Sequence, residues 1–145
     1  MPEDKNDDKG SYFTDKEELY KVFVYGTLKS GGEIRGLNNF GDGAIIVGKA
    51  KTQYPDYEMS DLGSFPGVFL NGKFHIEGEV WEVDDETMEQ LDAIEGYPDF
   101  YSRQQTHTTQ GVAWMYYLDD KSYTQYKGNR GDNVFEQGDT LTWQK

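Results

Sequence analysis

The chain has 145 residues, a formal net charge of −13 at pH 7 and no cysteine. Its length suits one domain, and an acidic surface repels phosphate and anionic lipid, so nucleic acid and membranes are poor candidate partners. The lack of cysteine excludes disulfides and thiol nucleophiles. Two histidines disfavour a His-based metal site or a Ser–His–Asp triad. No long apolar run or basic–apolar signal occurs, so we expect a cytoplasmic location.

Residues 1–18 are polar and rich in acidic residues, which predicts a disordered or weakly ordered acidic leader. Residues 19–145 are predicted to form a single domain. Its predicted strands combine aromatic and β-branched residues with polar or glycine-rich boundaries. They are expected at 21–25, 44–52, 57–59, 67–70, 75–83, 101–109, 112–118 and 140–143.

Two helices are predicted between these strands. One is a short helix over 33–40, which ends at glycines. The other begins after Asp84 or Asp85, whose side chain can cap it, and runs to about Ile94 or Glu95. The pair Asn71-Gly72 predicts a tight hairpin between the strands on either side of it. Many strands with two or three short helices indicate an α+β fold with a mixed, barrel-like sheet.

Glu95 lies at a chemically unusual position in the second helix. Met88, Leu91 and Glu95 share one helical face, so the glutamate is expected on the apolar side, just before Gly96. Ten carboxylates and no Lys or Arg fall between residues 77 and 99. Burial, the negative helix end and nearby acids would all raise the pKa of this carboxyl, as a general acid–base requires. A purely structural role, in which Glu95 bonds a backbone amide, fits the same spacing.

The turn after the first strand is the second candidate site. In Tyr25-Gly26-Thr27-Leu28, glycine allows a sharp turn and a close approach of backbone to a ligand. Successive N–H groups and the Thr27 hydroxyl could then hold an anion. The segment lacks the spacing of a nucleotide-binding loop. An ordinary connection between two elements is the alternative interpretation.

The two features, taken with SFPGVFL and AWMYYL in the same order along the chain, resemble the γ-glutamylcyclotransferase-like family. That family includes the γ-glutamylamine cyclotransferase and AIG2-like proteins. The resemblance spans residues 22–118 and depends most on YGTL followed by LDAIEGYPDFYSR. It implies a small α+β domain around a mixed, barrel-like sheet.

The resemblance also implies roles for individual residues. Glu95 would be the catalytic residue, and the turn formed by Tyr25, Gly26, Thr27 and Leu28 would hold the glutamyl group of a substrate. Tyr101 and Tyr116 would line the pocket as hydrogen-bond donors. Arg103 would either pair with a nearby acid or contact the substrate.

The implied reaction is the cyclisation of a small-molecule γ-glutamyl amide to 5-oxoproline, with release of the amine. Because the attacking amine belongs to the substrate itself, neither a cofactor nor a metal is required. Two other classes of function remain open. The chain could be a binding module that captures a small ligand without turnover, or an interaction protein that uses its acidic surface.

Overall fold

A computed structural model describes residues 19–26 and 43–144 of the chain. In chain order, its elements are β1 (Tyr20–Val24), β2 (Ala44–Lys51), β3 (Tyr57–Asp61), β4 (Pro66–Leu70), β5 (His75–Val83), α1 (Asp85–Glu95), β6 (Ser102–Thr108), β7 (Gly111–Tyr117), α2 (Asp120–Tyr123), a 3-10 turn (Thr124–Tyr126), β8 (Val134–Gln137) and β9 (Thr140–Trp143). Nothing in the described ranges is a helix with the length and apolar character needed to cross a membrane.

The long strand β5 organises the larger of two sheets. Strands β1 and β2 both pair with it in antiparallel fashion, and β9 pairs with it in parallel. The order continues from β1 through β7, in a parallel pairing, to β6. The sheet is therefore mixed, as predicted from the sequence.

The curvature of this sheet brings its two ends together. An antiparallel bridge joins Thr52, just after β2, to Thr108 at the end of β6. The Gln53 N–H donates to the His107 carbonyl across the same seam at 2.9 Å. This contact makes the sheet barrel-like and confirms the predicted α+β class.

Helix α1 packs over one face of the sheet. Met88 and Leu91 are buried in the same cluster as Val22 and Trp81 of the strands. The opposite cluster includes Ile76, Met115 and Leu141, among others. Burial of each large apolar side chain stabilises the fold by about 1.5–3 kcal/mol, so these two clusters fix the helix and the sheet ends.

The ends of α1 follow the predicted chemistry. The Asp84 carboxylate accepts the Thr87 N–H at 2.9 Å, and hydrogen bonds from the Thr87 side chain and backbone hold the pKa of Asp84 below its usual value. Gly96 ends the helix with φ 67°, a left-handed conformation that favours glycine. The predicted helix and its cap are confirmed.

The described ranges contain one helix longer than a single turn, α1, together with the four-residue α2 and the 3-10 turn. One prediction about the elements is wrong. The predicted hairpin across Asn71-Gly72 does not form, because β4 pairs with β3 instead of β5. Asn71 does adopt the positive φ of a tight turn, 63°, but Phe74 beyond it exchanges backbone hydrogen bonds with Tyr57. The predicted leader and the predicted helix over 33–40 lie outside the described ranges.

The smaller sheet, β3–β4, is tied to the C-terminal part of the chain by Asp61. This carboxylate is buried and accepts hydrogen bonds from the Gly63 N–H at 2.7 Å and from the backbone N–H groups of Asp132 and Asn133 at 3.2 and 3.3 Å. Arg130 adds an ion pair with Glu58. The segment from Arg130 to Asn133 therefore fastens the β3–β4 hairpin from outside.

We predict that Asp61→Asn lowers the free energy of unfolding by about 2–3 kcal/mol. The amide has one acceptor oxygen, so its NH₂ group would face N–H donors that the carboxylate now satisfies. Urea denaturation would measure the change, with Asp139→Asn as the control because the Asp139 side chain is 69% exposed. Equal stabilities for the two variants would contradict this account of Asp61.

Candidate active site

Glu95 is the last residue of α1 and is half-buried. The residues one and two turns before it, Leu91 and Met88, are buried as the predicted stripe requires. Glu95 therefore lies where the apolar face of the helix meets solvent. A raised pKa for its carboxyl stays a prediction.

Three tyrosines lie close enough to this carboxyl for its charge to act on them. Burial raises the pKa of Tyr25 and Tyr101 well above the usual value of a tyrosine, and the negative charge of Glu95 raises both further. Burial and a hydrogen bond to Asp92 raise the pKa of Tyr116, with a smaller contribution from Glu95. These side chains come from the end of β1, the segment after α1, and β7. The fold thus assembles four predicted site residues from distant parts of the chain.

The Tyr25 hydroxyl joins three strands. It donates to the Tyr116 carbonyl of β7 at 2.8 Å and accepts the Val68 N–H of β4 at 3.3 Å. Both its hydrogen and one oxygen lone pair are thereby used inside the protein. Tyr25 consequently places the backbone of β4 next to the turn that begins at Gly26.

The other two tyrosines also donate within the protein. The Tyr101 hydroxyl donates to the Pro66 carbonyl at 2.5 Å, and the Tyr116 hydroxyl donates to Asp92 Oδ1 at 2.7 Å. A hydroxyl has one hydrogen to donate. A ligand at this site would therefore meet the oxygen lone pairs and rings of these tyrosines, whereas the resemblance implied hydrogen-bond donors.

The turn after β1 closely approaches β4. A Cβ atom built on Gly26 would lie 2.8 Å from Pro66 Cγ and 2.9 Å from Pro66 Cδ, closer than carbon atoms can pack. Glycine is therefore required where the chain leaves the strand. Thr27 and Leu28, the remaining predicted residues of the anion-holding turn, lie outside the described ranges.

Arg103 pairs with an acid, which was one of its two expected roles. Its Nε and Nη2 atoms donate to the two carboxylate oxygens of Asp92 at 2.9 and 3.2 Å. The guanidinium also lies 4.5 Å from the centroids of both the Tyr97 and Trp114 rings. Asp92 thus joins the site as a residue that the sequence analysis passed over. The sequence did contain a pattern that could have identified Asp92. Residues 77–99 are rich in acids and contain no Lys or Arg, so at least one of these carboxylates was expected to pair with a cation from another element.

Metal ligands are not grouped in the part of the chain that the structure describes: no three His, Asp or Glu side chains there lie close enough to hold an ion. The chemistry of the described site residues is that of a carboxyl group, buried hydroxyls and backbone groups.

Comparisons with known proteins agree with this architecture. The family model described as gamma-glutamyl cyclotransferase, AIG2-like, matches residues 22–144. A Vibrio cholerae protein, provisionally named as a gamma-glutamylcyclotransferase, is 38% identical over 95 residues, which cover 66% of this chain and 78% of that protein. A Methanocaldococcus jannaschii protein with the same provisional name is 32% identical over 121 residues, covering 74% and 98% of the two chains.

Solved structures show the same fold. An AIG2-like protein from Mus musculus matches with a TM-score of 0.60 and 26% identity, over 69% of this chain and 77% of that one. The solution structure of YtfP from Escherichia coli matches with a TM-score of 0.54 and 31% identity, over 68% and 82%. The chain belongs to the gamma-glutamyl cyclotransferase, AIG2-like family.

We predict that Gly26→Ala lowers the free energy of unfolding by about 1–3 kcal/mol, because the added methyl group would push Pro66 and β4 away from β1. Thermal denaturation would measure the change. Gly138→Asn is the control, since Gly138 has open space around it and φ 62°, which asparagine tolerates. A neutral Gly26→Ala variant would mean that the turn and β4 can separate freely.

The buried tyrosines also predict a pH dependence. Their folded pKa values lie above that of an unfolded tyrosine, so the stability they confer is complete below about pH 10. Above that pH the unfolded chain loses protons that the folded chain keeps. Stability should then fall by up to about 1.4 kcal/mol per pH unit for each buried tyrosine. Denaturant unfolding between pH 9 and 11 would measure this slope. Tyr101→Phe should reduce this slope by the contribution of about one proton. An unchanged slope would contradict a raised pKa for Tyr101.

Proposed function

We propose that this chain is an enzyme that cyclises a γ-glutamyl amide to 5-oxoproline and releases the amine, with Glu95 as the general acid–base. The observation that carries the proposal is the position of the Glu95 carboxyl. It lies close enough to Tyr25, Tyr101 and Tyr116 for its charge to act on all three, and Tyr25 immediately precedes the turn at Gly26. Membership of the gamma-glutamyl cyclotransferase family supports the same reaction class.

The reaction needs little chemistry from the protein. The free α-amine of the substrate attacks its own γ-carbonyl carbon, forming the C–N bond of a five-membered lactam. The C–N bond to the leaving amine then breaks. Glu95 takes a proton from the attacking nitrogen and returns one to the leaving nitrogen, so the enzyme ends in its starting state. Holding the substrate in a folded conformation contributes most, up to about 7–11 kcal/mol in well-oriented systems.

Among the described side chains of the site, Glu95 is best suited to move this proton near neutral pH. Burial raises the pKa values of Tyr25, Tyr101 and Tyr116, so these hydroxyls keep their hydrogens. Asp92 is held by Arg103 and by the Tyr116 hydroxyl. A carboxyl with solvent contact can instead exchange its proton in each turnover.

Backbone groups would orient the substrate. In this proposal, N–H groups of the turn from Gly26 to Leu28 hold the α-carboxylate of the substrate. That places the α-amine toward the γ-carbonyl and toward Glu95. The oxygen of the Tyr101 hydroxyl, whose hydrogen is used on Pro66, is a suitable acceptor for an N–H of the free α-amine.

We predict that Glu95→Gln lowers the rate of 5-oxoproline release by about two to four orders of magnitude, because the amide keeps the shape but cannot carry the proton. A panel of γ-glutamyl amines supplies the substrates, and 5-oxoproline is measured by chromatography. Glu89→Gln is the control, since Glu89 is exposed on the same helix.

Near-normal turnover in the Gln variant would remove Glu95 from the mechanism. A panel in which no member is turned over, while one binds unchanged, would instead support a binding module. Capture of a basic protein that persists in moderate salt and in the Glu95→Gln variant would support an acidic interaction protein.

A further inference from the structure

The last turn of α1 carries negative charge that no residue of the same turn balances. It holds Asp92 and Glu95, has no basic residue, and coincides with the negative end of the helix dipole. Two carboxylates one turn apart disfavour each other's ionised form. A cation from another element is needed to balance one of them.

Arg103 of β6 supplies that cation with a fixed geometry. Its guanidinium grips both oxygens of Asp92, and the rings of Tyr97 and Trp114 lie on it at 4.5 Å each. The Arg103 side chain is 18% exposed. An arginine that is paired through two nitrogens and stacked on aromatic rings loses most of its rotational freedom, so it can hold its partner in one place.

Tyr116 reaches the same carboxylate from the neighbouring strand. Arg103 and Tyr116 are directly opposite each other in the β6–β7 ladder, and both donate to Asp92 Oδ1. The backbone carbonyl of Tyr116 accepts the Tyr25 hydroxyl. The sheet therefore grips the end of α1 at Asp92, and the same strand also positions the tyrosine nearest the Gly26 turn.

The Asp92 backbone is tied to the helix end as well. Its carbonyl accepts the N–H of Gly96, the C-cap, and the N–H of Tyr97 at 2.9 Å. A displacement of Asp92 would therefore move the cap that immediately follows Glu95. Among the described residues, Tyr25, Tyr101 and Tyr116 of the surrounding elements lie close enough for the charge of Glu95 to act on them, and Asp92 lies one turn before Glu95 on the same helix.

We propose that Arg103 is a positioning residue, which acts through Asp92 to anchor the last turn of α1 and to balance the charge beside Glu95. The effect on turnover rests on the proposed function, whereas the effect on the titration of Glu95 does not. Substitution of Arg103 leaves the Asp92 charge uncompensated, which makes ionisation of Glu95 harder. Substitution of Asp92 leaves the guanidinium uncompensated, which makes ionisation of Glu95 easier.

The test is an NMR titration of the chain with ¹³C-labelled glutamate side chains, in which the Glu95 carboxyl is assigned by its loss in Glu95→Gln. In Arg103→Gln the pKa of Glu95 should rise by about 0.5–1 unit, and in Asp92→Asn it should fall by a similar amount. The double variant should titrate near the unsubstituted chain. Lys49→Gln makes the same charge change on an exposed residue of β2, where screening by solvent should leave Glu95 unaffected.

A merely structural role for Arg103 would not give shifts of opposite sign. An unchanged Glu95 titration in folded Arg103→Gln, or equal shifts in both single variants, would overturn the inference. If Arg103→Gln does not fold, the fall expected in Asp92→Asn still decides the question.

Turnover gives a second measurement. Arg103→Gln should lower kcat about 10- to 100-fold with little change in KM, because a misplaced Glu95 affects the reacting geometry more than binding. In a Glu95→Gln background the same substitution should cause no further loss. If Glu95→Gln retains full turnover, the proposed catalytic role of Glu95 fails, while the titration still tests the role of Arg103. If Glu95→Gln is inactive and Arg103→Gln is unaffected in both kcat and titration, the positioning role alone fails.

Discussion

The structure depends on the way the small β3–β4 sheet is held against the larger one. No continuous ladder joins β4 to the main sheet in the described ranges. Instead, the Tyr25 and Tyr101 hydroxyls bond the backbone of Val68 and Pro66, and the Leu118 N–H donates to the Val68 carbonyl at 2.8 Å. Buried hydroxyls without such partners would cost several kcal/mol. The same bonds that close the core therefore create the wall that faces Glu95.

This arrangement explains why the site tyrosines are deeply buried and stay protonated. Their hydrogens go to acceptors within the protein, and burial keeps them neutral. They shape the space around the carboxyl, and the proposed mechanism assigns proton transfer to Glu95.

Much of the secondary structure could be predicted because it depends on local pattern. The strand over His75–Val83 and the Asp84 cap of α1 follow from signals within a few residues, and both are confirmed. The pairing of β4 could not be predicted in this way. Asn71 does form a tight turn, but bonds from Tyr57 to Phe74 and from β3 to β4 decide which strands become neighbours.

The candidate site, too, contains features that local pattern could predict and features that it could not. The spacing of Met88, Leu91 and Glu95 placed the carboxyl at the inner edge of α1, because helix periodicity is a property of the segment itself. Helix periodicity could not predict the partner of Asp92, because Arg103 lies on β6, a different element, and meets Asp92 only in the folded chain. The role of Asp61 was hidden for the same reason: its donors come from a segment about 70 residues later, at sequence separations of 71 and 72.

The contact between Gly26 and Pro66 has one more consequence. Because the proline ring fills the volume that a side chain at position 26 would occupy, the two positions cannot change independently. A larger residue at 26 becomes acceptable only after the ring at 66 is replaced by something smaller. Any redesign of this turn must therefore replace Pro66 first, and the order of the two substitutions decides whether the intermediate folds.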